Sequence, residues 1–500
     1  MRLRFALLSS LSLCTLACSP SKPEDCGAGA DGPSGCVPAA TCEAPALADI
    51  RTPTTVVGDG TPASCTAAAL TAAGAAGGGI TFRCGSEPHT ITLTEPVVVT
   101  RETTIDGEGR ITLSGGGRTR ILYLDSGYDQ TTPRLTVQRL TFRDGRAASG
   151  GDDTAVGGGA IYRDGGSLTV LDSVFLDNRA PATGQDVAGG AIYGFGGGDI
   201  VIAGSRFSGN AASNGGAVGS LNGHLTIVNS TFVDNAATGS GGNPGNGGCG
   251  GAIYQDGGRE RSSACGVVIR GNSAGAIAGG WFRVSNDRSG SMTMDRTTVD
   301  ANRVTANDGG NAGGLYLQGL TLAISASTIS RNQAFHAGGL WLHTSDAVLT
   351  NVTIAENTAT GTNGGGVWVS DSRSGVLRNV TIANNRSTGP DKIAGAIFGG
   401  GLTLENTLIA NNTATWVAEC NEVHSGGADN LQWPGDSACT SRALREDPQL
   451  GPLGMHGGPT ETMVPAASSP ARGLGTRCPA TDQRGEPRAG SCTVGAVEVP

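Results

Sequence analysis

A repeated phrase occupies most of this 500-residue chain. Each copy contains a Gly-Gly pair, an alternating apolar run and a closing asparagine, and the copies that start at Gly158 and Gly338 show it most clearly. A period of 25 to 37 residues is typical of stacked supersecondary units, each of which contacts only its neighbours. The repeat therefore predicts a solenoid. Its closing asparagines are Asn178, Asn210, Asn235, Asn272, Asn302, Asn332, Asn357, Asn385 and Asn412.

The composition agrees with a folded, exported repeat protein. Glycine accounts for 83 residues and recurs at fixed points of the phrase, which indicates turns and close approach of the backbone. The chain is 38% hydrophobic and 15% charged, which is too apolar for a disordered tract. A net charge of −9 argues against a nucleic-acid partner.

Three short strands are predicted in each coil between residues 157 and 412. The first follows the Gly-Gly pair, and Leu168–Val170 and Val174–Leu176 represent the second and third. We expect the Asn or Asp side chains of the turn between them to form hydrogen-bond ladders along the axis. A loop of variable length follows the third strand and is expected to form one flank of the body. The turn residues are Asp172, Asn229, Asp295, Asn351, Asn379 and Asn406.

The N-terminus has the pattern of an export signal. Arg2 and Arg4 precede an apolar run, Phe5–Leu16, that is too short to span a membrane. Thr15–Cys18 resembles a bacterial lipobox, although threonine stands where leucine is usual. We predict that residues 1–17 are removed and that Cys18 is acylated, which would put the protein at the bacterial outer membrane or cell surface. Secretion with an unmodified Cys18 is the alternative.

Four further segments follow the signal. Residues 18–62 are rich in Cys, Pro and Gly and are expected to form a flexible tether. Residues 63–79 contain an alanine-rich helix, with Ser64 as N-cap, that closes the open end of the solenoid. Residues 80–415 form the coils, and residues 416–500 form a last coil and a cap.

Two family resemblances are carried by these segments. The three-strand coils, the Asn-bearing turn and the phrases Asn229–Phe232 and Asn351–Ile354 resemble the right-handed parallel β-helix of pectate-lyase-like proteins. The C-terminal order of motifs resembles the choice-of-anchor Q surface proteins of bacteria. The resemblances imply an all-β, right-handed parallel β-helix solenoid and no common activity. The C-terminal motifs are Asn406–Asn412, Asp447–Leu453, Gly457–Thr460, Asp482–Gly485 and Cys492–Glu498.

Cysteine spacing predicts disulfides, as expected for an exported protein. Cys26, Cys36 and Cys42 leave one cysteine over if Cys18 is acylated, whereas an unmodified Cys18 makes the number outside the signal even. The predicted pairs, close together in sequence, are Cys65–Cys84, Cys249–Cys265, Cys420–Cys439 and Cys478–Cys492.

A column of aromatic residues is the candidate binding site. Alternation after the Gly-Gly pair is expected to point Tyr316, Trp341 and Trp368 outward from three consecutive coils. Aligned on the Gly-Gly pairs, earlier coils have mainly aliphatic residues at this position, so we expect the aromatic character to be local. Those earlier residues are Ile161, Ile192, Val218, Ile253 and Phe282.

Polar groups lie beside the predicted column. Gln318, His343 and Ser370 form the next outward position of the same strands. Rings beside hydrogen-bonding groups suit a polymeric sugar, whose C–H faces pack on the rings. The alternative is that the rings lie under the variable loops and only extend the packing.

Motifs for catalysis or metal binding are sparse. His343, Asp346 and Asp371 are the catalytic candidates, because hydrolases usually use two carboxylates and lyases need a base beside an acidic sugar. The sequence has no Cys-x-x-Cys or His-Glu-x-x-His pattern, so no metal site and no cofactor are predicted. Loop acids such as Asp125 and Asp152 could contribute to calcium binding but form no recognised ligand loop.

Three functions remain open. The sequence favours a non-catalytic surface protein that binds polysaccharide or another cell-surface partner and meets the membrane only through its N-terminal lipid. A polysaccharide lyase or glycoside hydrolase on the same fold is the first alternative, supported mainly by analogy of fold. A structural or adhesive envelope protein is the second. The oligomeric state is left open.

Overall fold

The computed structural model describes residues 42–499, apart from residues 151, 373, 389–391, 436 and 489. The signal, Cys18, Cys26, Cys36 and the first part of the predicted tether lie outside the described residues. Within the described part, the chain forms a right-handed parallel β-solenoid of about twelve coils, as the repeat predicts.

One face of the solenoid is an eleven-stranded parallel sheet, here called the Gly-Gly sheet because most of its strands follow Gly-Gly pairs. Each strand is short because it spans a single face of a coil. The strands are Val97–Val99, Leu122–Asp125, Ile161–Asp164, Ile192–Phe195, Val218–Leu221, Ile253–Asp256, Trp281–Val284, Leu315–Gln318, Leu340–His343, Val367–Ser370 and Ile397–Phe398.

The other two faces belong to one 25-stranded sheet that bends at the turn between the second and third strands of each coil. Two long strands, Thr103–Ser114 and Arg134–Arg143, run through both faces, and Thr55–Val57, Gly78–Phe82 and His89–Thr92 precede them. The second row contains Ser167–Leu171, Asp199–Ala203, His224–Val228, Arg261–Cys265, Gly290–Asp295, Leu320–Ser325, Asp346–Thr350, Gly375–Arg378, Leu402–Glu405 and Ser425–Gly426. The third row contains Val174–Leu176, Arg206–Ser208, Thr231–Val233, Val268–Arg270, Thr298–Asp300, Thr328–Ser330, Thr353–Ala355, Thr381–Ala383, Leu408–Ala410 and Leu431–Trp433.

A third sheet, made of seven two-residue strands, follows the closing asparagines. The sequence pattern did not predict it, because two residues are too few to show alternation. Its strands are Ala211–Ala212, Ala236–Ala237, Ser273–Ala274, Arg303–Val304, Gln333–Ala334, Thr358–Ala359 and Arg386–Ser387. The variable loops start after these strands and lead back to the Gly-Gly sheet.

The core is a column of inward side chains along the solenoid axis. Phe142, Phe175, Phe207 and Phe232 stack at 4.5 to 4.8 Å, close to the spacing of adjacent strands. The N-terminal end of this column is closed by the predicted helix, which spans Ala67–Ala76. Its N-cap is Thr66, whose hydroxyl accepts from the amide of Ala69, rather than Ser64.

The closing asparagines form the hydrogen-bond ladder of this fold. Each Nδ2 donates to Oδ1 of the asparagine one coil later, at 2.9 to 3.0 Å in all eight links from Asn178 to Asn412. At the end of the ladder, Nδ2 of Asn412 donates to the buried carboxylate of Glu419 at 2.7 Å.

Of the turn residues predicted to form a ladder, Asn406 and Asn379 make one such link, from Nδ2 to Oδ1 at 3.1 Å, whereas the continuous ladder belongs to the closing asparagines. Asp172, for example, has a positive φ, which Asn and Asp tolerate better than most residues. The side chains of Asn229 and Asn351 bind backbone carbonyls outside the coils instead, at Cys42 and Thr481.

Residues 42–62 do not form the free tether that composition predicts. Residues 42–54, here called the N-terminal strap, lie along the turn between the second and third rows. A disulfide joins Cys42 to Cys265, and Thr55–Val57 then pairs with the next strand. Tertiary contacts at its two ends thus fix a segment that has no periodicity of its own.

The described residues contain four disulfides. Three are pairs that the spacing predicts: Cys65–Cys84, Cys420–Cys439 and Cys478–Cys492. The predicted Cys249–Cys265 pair is wrong, because Cys265 binds Cys42 and Cys249 is a buried free thiol. No helix in the described ranges is long and apolar enough to cross a membrane.

Candidate functional site

The outward aromatic column is longer than the sequence alignment predicts. The register of the Gly-Gly sheet aligns Tyr123, Tyr162, Tyr193, Gly219, Tyr254, Phe282, Tyr316, Trp341, Trp368 and Phe398. The expectation that the aromatic character is local was therefore wrong. The aliphatic residues thought to replace the rings, such as Ile161 and Ile253, face inward and are fully buried.

The cause of this error is one alanine. In early coils the sequence before the strand is Gly-Gly-Ala. The hydrogen bonds between coils align this alanine with the second glycine of later coils: the amide of Ala252, for example, donates to the carbonyl of Gly280 in the next coil. Aligning the Gly-Gly pairs themselves shifts the early coils by one residue. Because successive side chains of a strand point to opposite faces, this shift exchanges inward and outward residues.

The rings from Tyr162 to Phe282 are covered, whereas Tyr123 at the N-terminal end of the column is half-buried. Tyr162, Tyr193, Tyr254 and Phe282 are buried. In the 239–248 loop, Nδ2 of Asn243 donates to the hydroxyl of Tyr254 at 2.6 Å. For these coils, the rings extend the packing beneath the loops, as the alternative interpretation holds.

The last four rings remain half-buried, and we call Tyr316, Trp341, Trp368 and Phe398 the exposed aromatic strip. The indoles of Trp341 and Trp368 lie 4.6 Å apart at 16°. This centroid separation exceeds the contact distance of about 3.5 Å between stacked carbon atoms. The two indoles are therefore offset from each other, and each leaves part of its face uncovered by the other. Tyr316 and Phe398 are tilted by 66° and 67° against their indole neighbours.

Polar groups predicted beside the strip line one of its sides. Oγ of Ser370 accepts from Nε1 of Trp341 at 2.8 Å and lies 2.9 Å from Nδ1 of His343. The hydroxyl of Tyr316 donates to Oε1 of Gln318 at 2.8 Å. Burial raises the pKa of Tyr316 to about 12, so this hydroxyl remains a donor at neutral pH.

The opposite side of the strip contains two residues that sequence reasoning missed. Phe335 and His336 lie on a variable loop, and the imidazole of His336 meets the Trp368 ring edge-on, at 5.6 Å and 86°. Nδ1 of His336 is hydrogen-bonded to Oγ1 of Thr362. Burial lowers the pKa of His336, which favours a neutral ring. No repeat signal marks these residues, because the loop has no periodicity.

The three catalytic candidates do not come together as one group. His343 lies 3.8 Å from the carboxylate of Asp371, whose side chain is 76% exposed. Ser370 and Asp371 approach the same nitrogen, Nδ1, whereas a Ser-His-Asp triad uses both nitrogens of the ring. Asp346 begins a second-row strand, and its carboxylate accepts from the amide and hydroxyl of Ser374.

The loop acids considered as calcium ligands accept hydrogen bonds from neighbouring residues. Asp125 accepts from the hydroxyl of Tyr123, and Asp152 accepts from Thr154. Within the described ranges, one set of three metal-ligating side chains has its ligand atoms within 4.8 Å, namely Cys42, Cys265 and Asp295. Two of these three are joined as a disulfide.

Comparison with known proteins agrees with the fold. Residues 253–414 match a family model described as a right-handed beta helix region. No curated protein matches the chain.

Two similar solved structures are both enzymes. One is the A-module of a mannuronan C-5 epimerase from Azotobacter vinelandii, with 13% identity over 78% of this chain and 97% of that one and a TM-score of 0.32. The other is the DFA-IIIase of Arthrobacter chlorophenolicus A6 in complex with GF2, with 11% identity over 73% and 85% and a TM-score of 0.25. At these values neither likeness assigns an activity to this chain.

Proposed function

We propose that this protein is a non-catalytic, exported polysaccharide-binding protein and that the exposed aromatic strip is its binding surface. The observation that carries the proposal is the strip itself. Four consecutive coils each contribute one half-buried ring at the same outward position, while the equivalent rings from Tyr162 to Phe282 are buried.

The chemistry of the strip suits a chain of sugar residues. The uncovered parts of the offset indole rings can pack against sugar C–H groups, and Gln318, His343 and Ser370 can form hydrogen bonds with sugar hydroxyls. Because the rings follow one another along the solenoid axis, the bound chain would also lie along that axis. The exposed carboxylate of Asp371 adds an acceptor at the rim.

A double substitution tests the surface. Trp341→Ala/Trp368→Ala removes the stacked pair and should weaken retention of the bound polysaccharide by about tenfold or more, as expected for central aromatic residues. The measurement is affinity electrophoresis or calorimetry against a panel of acidic and neutral polysaccharides. Trp433→Ala is the matched control, since Trp433 is a partly exposed tryptophan in the third row.

Two results would contradict the binding proposal. One is unchanged retention in the double variant, and the other is an equal loss in Trp433→Ala. Circular dichroism must show that all three proteins are folded. New sugar ends released in the same incubations, and lost in His343→Ala, would contradict the non-catalytic part and favour the lyase or hydrolase.

Anchoring by a lipid on Cys18 is the second part of the proposal, and the lipobox-like sequence supports it. Wild-type protein should sediment with membranes from a lipoprotein-processing bacterial host, while Cys18→Ser should be released as soluble protein. Release of the wild type would contradict anchoring without affecting the binding proposal.

A further inference from the structure

The N-terminal strap buries little of its surface against the body. Residues 43–47 are exposed, with Leu47 at 40%, and only Cys42, Ala48, Ile50 and Pro53 are partly buried between residues 42 and 54. Cys42 packs beside Leu171, Ala203 and Val228, a small apolar row at the turn between the second and third rows. The strap therefore gains little apolar burial along its length.

Two side-chain amides hold the strap by paired hydrogen bonds. Asn229 accepts from the amide of Cys42 at 3.1 Å and donates to its carbonyl at 2.7 Å. Gln138 makes the same pair of bonds to Ala48, at 2.8 and 3.1 Å. Such neutral amide bonds are individually weak, and they must offset the entropy of ordering an exposed segment.

The disulfide between Cys42 and Cys265 supplies the remaining constraint, across a sequence separation of 223 residues. Both of its cysteines are partly accessible, whereas each of the other three disulfides contains at least one buried cysteine. Nη2 of Arg296 lies 3.5 Å from Sγ of Cys265, and Asp295, which is paired with Arg296, lies 3.6 Å from it. The guanidinium favours a thiolate at Cys265 and the carboxylate of Asp295 opposes it, so the case for selective reduction is the accessibility of both cysteines.

We propose that the Cys42–Cys265 disulfide is a redox-controlled latch, and that its reduction releases the N-terminal strap while the coils remain folded. A thiolate of an external dithiol attacks Sγ of Cys42, and Cys265 leaves as a thiolate that takes up a proton. The second thiol of the reductant then displaces Cys42 and closes the reductant's own disulfide. Residues 42–54 are then joined to the body only through the strand Thr55–Val57.

Graded reduction tests the latch. Native protein is treated with increasing dithiothreitol, exposed thiols are trapped with iodoacetamide, and the labelled peptides are identified by mass spectrometry. Cys42 and Cys265 should be labelled at dithiothreitol concentrations about tenfold lower than the cysteines of the other three disulfides, because thiol–disulfide exchange depends on access. Cys249 is an internal control that should remain unlabelled, since it is buried and burial raises the pKa of its thiol.

Hydrogen exchange then tests release. In the reduced protein and in Cys42→Ser, amides of residues 42–54 should exchange about tenfold faster or more, with unchanged protection in the coils. If another disulfide opens first, or if residues 42–54 keep their protection after the latch opens, the proposal is wrong. Should Cys42→Ser fail to fold, the reduced wild type still decides the question. Polysaccharide retention should be the same in both forms, so the outcome is independent of the binding proposal.

Discussion

Individual polar side chains are tolerated inside the coils because backbone carbonyls accept their hydrogen bonds. Arg163 is buried within the solenoid, and its guanidinium donates to the carbonyls of Gly166 and Gly196. Arg283 donates in the same way to the carbonyl of Glu260. Burial lowers the pKa of both guanidinium groups to about 10, which still leaves them charged at neutral pH.

His424, in contrast, is buried with no hydrogen-bond partner among the described residues for either ring nitrogen. It is 5% exposed, and burial lowers its pKa to about 4 from an ordinary value of 6.5. Below pH 6.5 the unfolded chain takes up a proton that the folded chain resists until about pH 4. The free energy of unfolding should therefore fall across this window, by up to about 3 kcal/mol.

Urea unfolding at pH 7.5, 5.5 and 4.5 measures this effect. In His424→Phe, which cannot titrate, the decrease in stability between these pH values should be smaller than in the wild type. His456→Phe is the matched control, because it replaces a histidine that is only partly buried. Identical pH profiles for the wild type and His424→Phe would show that this residue does not contribute.

At the scale of elements, the asparagine ladder holds the coils in register. Each ladder side chain also bonds the backbone, as Nδ2 of Asn302 does with the carbonyl of Ile269 at 2.9 Å. All the amide dipoles point the same way, with their donors towards the C-terminal end. The carboxylate of Glu419 at that end faces the last donor, an arrangement comparable to an anion at a helix N-terminus.

Removing one ladder member should therefore be costly. Asn302→Ala removes the acceptor of the Asn272 backbone amide, one of the bonds of the Asn272 Nδ2, and the donor to the buried carbonyl of Ile269. We expect the free energy of unfolding to fall by about 3 kcal/mol or more, since each unpaired buried group costs about 1–3 kcal/mol. Asn286→Ala is the control, because Asn286 is exposed and bonds Asp256 at the surface.

Urea midpoints of these two variants decide the prediction. The control should change stability by less than about 1 kcal/mol, as surface substitutions usually do. A loss in Asn302→Ala no larger than that in Asn286→Ala would show that the ladder contributes little to stability.

At the scale of the molecule, the N-terminal strap and the C-terminal cap both lie over the turn between the second and third rows. The C-terminal cap is fixed there by side chains of the coils. Gln483 is fully buried, accepts from the hydroxyl of Thr353 at 2.7 Å and donates to Thr328 and Thr460. The strap and the cap thus cover this edge, while the exposed aromatic strip lies on the Gly-Gly sheet.

Substitution of Gln483 should loosen the cap. In Gln483→Ala, three hydroxyls each lose a hydrogen bond, and amides of residues 446–488 should lose protection from hydrogen exchange while the coils keep theirs. Gln449→Ala is the control, since Gln449 is exposed. Unchanged exchange in Gln483→Ala would contradict this role for the side chain.

The repeat by itself determined the solenoid, its three main strands and the identity of the rings at Tyr316, Trp341 and Trp368, because these follow from local alternation. Tertiary structure decided the rest. Whether a ring is covered depends on loops without periodicity, and the partner of Cys265 lies 223 residues away. Which residues of the early coils point outward depends on a shift of one residue in the alignment of the coils, and only the strand pairing between coils fixes that alignment. Local pattern specifies the coil, but contacts between coils and with the strap and the cap specify the surface.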